Sequence, residues 1–212
     1  HGGEVSHYYS RYALEYPYPM GGYGGMFKAW SSKVARQGIH KPYNSCGNGS
    51  AMRIAPVGWA FETEREVLEA AKVSASCTHN HPEGIKGAQA TALCIFLARQ
   101  GHTASDIRAR IERDFGYDLS MSVKELQRRY SWQGIDGKGD GGICQDSVPQ
   151  AIICALQAKD FEDAIRNAIS IGGDSDTIGC IAGGIAEALY GIPESIKERA
   201  WKYLDETEGR RT

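Results

Sequence analysis

The sequence predicts an all-α fold. Apolar residues recur at helical spacing through most of the 212 residues, and Ser/Thr followed three residues later by Glu or Asp marks helix starts at Thr63, Thr103 and Ser122. No segment alternates apolar and polar residues as a half-buried strand would, and no internal repeat divides the chain. Hydrophobic content of 42% without a shift in composition suits one well-cored domain over residues 1–212. The 24 basic and 26 acidic residues nearly cancel, leaving a formal charge of −2. That balance offers no footprint for general nucleic-acid binding or for an anionic membrane. No apolar run reaches membrane-spanning length. The six cysteines are scattered without a C-x-x-C pair, which reads as buried, reduced thiols in a cytoplasmic protein.

Val5 to Tyr16 reads as a helix ended by Pro17 and Pro19, and Gly21 to Gly25 as a loop. Met26, Phe27, Trp30 and Val34 share one face of a second helix running to Gln37. Thr63 and Glu66 open a helix with Val67, Ala70, Ala71 and Ser74 facing inward, which stops near Cys77. Ile85 to Gln100 is strongly helical, with Ala88, Ala92, Ile95 and Phe96 inward and Gly101 at its end. Thr103 begins a helix in which Ile107 and Ile111 face the core and Asp106 pairs with Arg110, and Ser122 begins a short helix to Arg129. Pro149 to Ala158 and Phe161 to Ile171 follow as helices separated by an Asp160 cap. Pro193 to Leu204 closes the chain as an amphipathic helix.

Three loops carry chemistry. Tyr43 to Arg53 is rich in glycine, asparagine and serine, which serves ordinary turns and equally lets N–H groups face a phosphate or sugar, with Arg53 as charge partner. Thr78 to Gly84 places His79 and His81 in a break between helices. They read as ligand contacts or satisfied structural histidines, since no further cluster completes a zinc site. Gly134 to Gly142 reads as a mobile loop edging a pocket or a surface linker. Its Asp-Gly alternation lacks the ligand spacing and closing glutamate of a calcium loop.

The densest stretch is Gly172 to Gly179, where Asp174, Asp176 and Thr177 stand between a glycine pair and a helix start. Beyond it Ile178, Ile181, Ile185 and Leu189 form one stripe, and Gly179, Gly183 and Ala186 form another that a second helix can approach closely. On a regular helix Asp174 and Asp176 would diverge by about 200°. They converge only if the backbone is irregular, as Gly172 and Gly173 allow. Two carboxylates and a hydroxyl select a hard cation such as Mg²⁺, Mn²⁺ or Ca²⁺. The other reading makes one aspartate a helix N-cap.

Gly173 to Thr177 followed by Gly179 resembles the C-terminal metal motif of the ADP-ribosylglycohydrolase family. Gly47 to Arg53 is similar to that family's substrate loop, and Thr78-His79 before a glycine-alanine helix is similar to its middle motif. The resemblance implies a compact orthogonal multi-helix bundle. It implies that Asp174, Asp176 and Thr177 hold Mg²⁺, with Mn²⁺ also suited, and that Asp174 and Asp176 serve catalysis. It implies that Gly47, Asn48, Gly49, Ser50, Met52, Arg53, His79 and Gly173 contact ADP-ribose. The activity it implies is hydrolysis of the glycosidic bond between ADP-ribose and a modified group. The family pattern also includes an N-terminal Thr-Asp-Asp motif, and this chain has no Asp-Asp pair. The expectation is therefore a chain truncated at the N-terminus relative to the family, with an incomplete metal site. An impaired ADP-ribose-binding protein, or a crystallin-like structural one, is the alternative.

Overall fold

A computed structural model describes residues 2–19 and 22–204. Among these the chain forms twelve α-helices, one two-stranded hairpin and a closing 3₁₀ turn. Helices α1 (Gly2–Glu15) and α2 (Gly25–Gln37) pack against each other, and α2 ends on Gly38 in the left-handed conformation. The chain continues through α3 (Gly49–Met52), α4 (Ala55–Ala60), α5 (Glu64–Ser76), α6 (Pro82–Arg99), α7 (Ala104–Phe115) and α8 (Val123–Arg129). Strands β1 (Tyr130–Ser131) and β2 (Gly134–Ile135) pair antiparallel, and α9 (Cys144–Leu156), α10 (Phe161–Ser170), α11 (Ser175–Tyr190) and α12 (Glu194–Ala200) follow.

The core is built around α6, whose Ala88, Ala90, Ala92, Leu93, Cys94 and Ile95 are fully buried and which touches α4, α5, α9 and α11. A helix apolar on every side is a central helix. Helix α11 is the second such element. Its Ile178, Ile181 and Ile185 join the main core, while α10 lies along its glycine stripe. A methyl added at Gly183 would sit 3.2 Å from the Ile165 Cδ1, and one at Gly184 would sit 3.2 Å from the Ala55 Cβ. Small residues on both flanks therefore let neighbours close on α11, and this fixes the position of its N-terminus.

All three capping boxes form as their spacing predicts. Several other expectations are corrected. Arg110 does not turn to Asp106, whose carboxylate is already held by Thr103, but to Asp114 and Glu64. Helix α6 starts at Pro82 rather than Ile85, since proline lacks only an N–H that a first-turn residue leaves unpaired in any case. Helix α9 starts at Cys144, five residues before Pro149, so the proline costs one early hydrogen bond without ending the helix. Residues 134–142 are tied down rather than open. Gly139 N donates to Gln133 O at 2.7 Å, Gly141 N to Trp132 O at 2.7 Å and Asp140 N to Asp146 Oδ2 at 3.0 Å. The loop expected from Gly21 to Gly25 begins on a residue outside those described. Among the described residues no helix is long and apolar enough to cross a membrane.

Candidate active site

The site lies where the glycine loop before α3 meets the N-terminus of α11. Gly172 and Gly173 both adopt left-handed backbone, with φ of 74° and 70°. This turn lifts Asp174 out of helical geometry, at φ −80° and ψ 67°, while Asp176 stands in the first turn of α11. The irregular backbone thus brings the two carboxylates close enough to repel each other. Asp174 occupies the N-cap position, yet its side chain makes no cap hydrogen bond. Its Oδ2 instead accepts from Asn48 Nδ2 at 2.7 Å.

Burial, and after it the neighbouring Asp176 carboxylate, raise the Asp174 pKa above the usual carboxylate range. Hydrogen bonds from Asn48 and Thr177 pull it down only in part. The buried Thr177 hydroxyl has two acceptors in reach, the Asp174 carboxylate and the Met52 Sδ at 3.3 Å. Asp176 is exposed.

Asn48 is the residue that joins the parts. Its Nδ2 also donates to Gly141 O at 3.0 Å, and its backbone N donates to Gly142 O at 3.1 Å. Gly47 bridges to Ile143, and the Cys144 thiol, held protonated by burial that pushes its pKa up to about 12, donates to Gly47 O at 3.2 Å. Gly47 and Gly49 lie flat against the His79 ring, where added methyls would stand 3.6 and 3.4 Å from its Nε2. His79 is 6% exposed. Burial, then the charge of Arg53, lowers its pKa to about 3, so it is neutral at ordinary pH.

Of the residues singled out in the sequence, the structure gathers Gly47, Asn48, Gly49, His79, Gly173, Asp174, Asp176 and Thr177 at this junction. Two others are placed differently. The Ser50 hydroxyl is fully buried and donates to Gly84 O at 2.8 Å, so it anchors the loop to α6. Arg53 turns inward, donating from Nη2 to Ser74 O and to Thr78 Oγ1, so its guanidinium is not an open charge partner for an anion. Met52 receives the Thr177 hydroxyl on its sulfur and the Cys180 thiol on its carbonyl. His81 caps α6 by accepting from Glu83 N.

Sequence reasoning passed over Tyr130. Its ring packs on Gly173, where an added methyl would stand 2.4 Å from Cε1, and its buried hydroxyl has no hydrogen-bond partner. Burial, then the charge of Asp174, raises the phenol's pKa. The only local signal is a two-residue strand, too short for period-2 patterning to reveal. Gly141 and Gly142, part of the loop expected to edge a pocket or to serve as a linker, act through carbonyl oxygens, which leave no side-chain signal.

The donor set of Asp174, Asp176 and Thr177 is all oxygen, which suits a hard cation in kind. In number it is sparse, for among the described residues no group of three or more His, Cys, Asp and Glu side chains gathers to hold a metal.

Comparison with known proteins gives the family and the fold. A family model described as ADP-ribosylglycohydrolase matches residues 4–211. The chain is 31% identical to the ADP-ribosylhydrolase ARH3 of Homo sapiens, an alignment that covers 77% of this chain and 56% of that protein. It is 29% identical to the ADP-ribosylarginine hydrolase Tri1 of Pseudomonas putida over 79% of this chain and 46% of the relative. The chain thus spans about half the length of these relatives. A solved structure titled ADP-ribosylglycohydrolase-related protein complex superposes with a TM-score of 0.71 at 25% identity, covering 98% of this chain and 70% of that one. With the glycine loop, the His79 ring and the acidic helix start joined in one place, the chain belongs to the ADP-ribosylglycohydrolase family.

Proposed function

We propose that the chain carries the substrate loop and one acidic half of the centre of a magnesium-dependent hydrolase. The bond cleaved is the N- or O-glycosidic bond between ADP-ribose and a modified protein, nucleic acid or small molecule. The observation that carries this reading is Asn48, whose two Nδ2 hydrogens go to Gly141 O and Asp174 Oδ2. It holds the glycine loop directly beside the two carboxylates, so a sugar resting on the loop lies within reach of acidic oxygens.

Asp174, Asp176 and the Thr177 hydroxyl would hold Mg²⁺ or Mn²⁺. A bound cation supplies positive charge that offsets the like-charged pair and orients ribose hydroxyls and a water. The protein's own groups do the rest. Gly47 and Gly49 admit the ribose-diphosphate close to the backbone, and His79 offers a ring nitrogen beside them. A water oxygen forms its new bond to the anomeric carbon as the bond to the modified group breaks. The departing group leaves with the bonding electron pair and takes a proton from solvent. The attacking water gives its proton to an Asp176 or Asp174 oxygen, the exposed Asp176 having the more open access.

The test is release of ADP-ribose from ADP-ribosylated peptide in the presence of magnesium. Asp174→Ala and Asp176→Ala are each expected to abolish it, and magnesium-dependent turnover indifferent to both changes refutes the reading. A second reading, binding of ADP-ribose without turnover, is favoured by the sparse acidic cluster. Calorimetry separates the two, since micromolar binding without product supports the second.

A further inference from the structure

Beside the glycine loop runs a chain of three polar side chains that contains no carboxylate. Arg53 Nη2 lies 2.7 Å from Thr78 Oγ1, and Thr78 Oγ1 lies 2.8 Å from His79 Nδ1. Arginine has donors only, so Thr78 Oγ1 accepts from it. The single hydroxyl hydrogen of Thr78 is then free to point at Nδ1, and a neutral imidazole that accepts at Nδ1 carries its proton on Nε2. Tyr43 and Cys77 also border this network, and each keeps its proton because burial pushes its pKa upward. With Arg53 on one lone pair of Thr78 and a phenol or thiol hydrogen on the other, the Thr78 hydrogen is directed at Nδ1, 2.8 Å away.

We infer that Arg53 and Thr78 act as positioning residues that lock His79 in the Nε2–H tautomer, so that its free face presents a neutral hydrogen-bond donor to an oxygen of the ligand lying on the Gly47–Gly49 loop. The arrangement is held from several sides. The Arg53 guanidinium stands 4.4 Å above the Tyr9 ring, Nη2 donates a second time to Ser74 O at 3.1 Å, and the Tyr9 hydroxyl bonds the Ser74 hydroxyl at 2.7 Å. Thr78 is fully buried, so no water competes for its hydroxyl. The Nε2 atom stands beside the two glycines, whose missing side chains leave room next to it on the loop. A donor fixed in this way recognises an acceptor-only group, a phosphate oxygen or the lone pairs of a sugar hydroxyl. It stays a donor across the pH range in which an ordinary histidine titrates.

The ligand in this inference is the ADP-ribose of the proposed function, whereas the tautomer stands on geometry alone, and the test keeps the two apart. Chains labelled with ¹⁵N-histidine are compared by long-range ¹H–¹⁵N spectra at neutral pH, with His79→Gln used to assign the resonances. Wild type and Thr78→Ser are expected to give the Nε2–H signature for His79. Thr78→Val and Arg53→Met are expected to give a mixture of tautomers and to bind ADP-ribose about tenfold more weakly, the loss of one aligned hydrogen bond. Thr78→Ser is expected to bind within about twofold of wild type. An Nδ1–H signature in the wild type, read from that chain alone, overturns the inference. So does a Thr78→Val spectrum identical to it. An Nε2–H signature in a wild-type chain that does not bind ADP-ribose leaves the relay standing and removes the ligand reading instead.

Discussion

The two walls of the site obey opposite rules. On the wall formed by Arg53, Thr78 and His79, the guanidinium turns inward onto neutral oxygens, and the one titratable ring is neutral. On the wall formed by Asp174, Asp176 and Tyr130, two carboxylates crowd each other beside a phenol that has no partner. The first wall has its internal hydrogen bonds made and only the His79 Nε2 edge left for a ligand, whereas the second wall is left with uncompensated like charge. The difference teaches where stability and function separate: damage to the first wall should cost stability along with binding, and damage to the second should silence the protein without unfolding it.

The sharpest way to break the comparison is at Asp176. Asp176→Ala is expected to lower magnesium-dependent release of ADP-ribose by at least about a hundredfold, beyond the usual effect of losing a group behind a metal ligand. Its urea midpoint should not fall below that of the wild type, and a loss of stability matching the loss of activity would erase the contrast. On the opposite wall Gly84→Ala should do the reverse. The added methyl would stand 2.6 Å from Ser45 O and 3.0 Å from both the Cβ and the backbone O of His79, so backbone itself would have to shift. A cost of about 2–3 kcal/mol is expected in equilibrium unfolding.

His79 gives a smaller effect with a definite sign. Its folded pKa of about 3 lies below the ordinary 6.5, so the unfolded chain takes up the proton first as pH falls. The associated stability is complete above pH 6.5 and drains away towards pH 3, by about 1.4 kcal/mol per pH unit in the middle of that window. Denaturant titrations at pH 7 and pH 5 should diverge less for His79→Gln than for wild type. Asp174→Asn tests the smallest effect. The raised pKa means that ionising Asp174 costs more in the folded state, so stability falls as pH rises through the carboxylate range. Without magnesium the asparagine variant should therefore melt slightly higher than wild type at neutral pH. A lower melt would mean that the carboxylates do not repel.

How much of this was legible in the sequence follows from chain distance. The boxes at Thr63, Thr103 and Ser122 involve groups three residues apart, and all three formed as read. The stripe at Gly179, Gly183 and Ala186 was read as a place for a close neighbour, and α10 fills it. The glycine pair before Asp174 was read as the irregularity that lets two aspartates converge, and its left-handed angles supply that. What escaped was set by tertiary contact. Tyr130 against Gly173, Ser50 under Gly84 and Arg53 behind Thr78 leave no local pattern, and a basic residue beside a glycine loop looks the same whether it faces in or out. The loop at 134–142 edges the site as its composition suggests, but that composition speaks of backbone freedom, whereas hydrogen bonds to Gln133, Trp132 and Asp146 tie it down.

The two hydrogen bonds from Asn48 Nδ2 carry one more consequence, for the order in which the molecule assembles. They span 93 residues to Gly141 and 126 residues to Asp174. Contacts of such sequence separation are closed late, after the loop entropy between them has been offset by core helices already docked. During synthesis the bond from Asn48 to Asp174 must wait until the start of α11 has left the ribosome, after the loop is already tied to Gly84 and Gly141. Ligand binding at this junction is therefore a readout of finished folding rather than of any fragment of it.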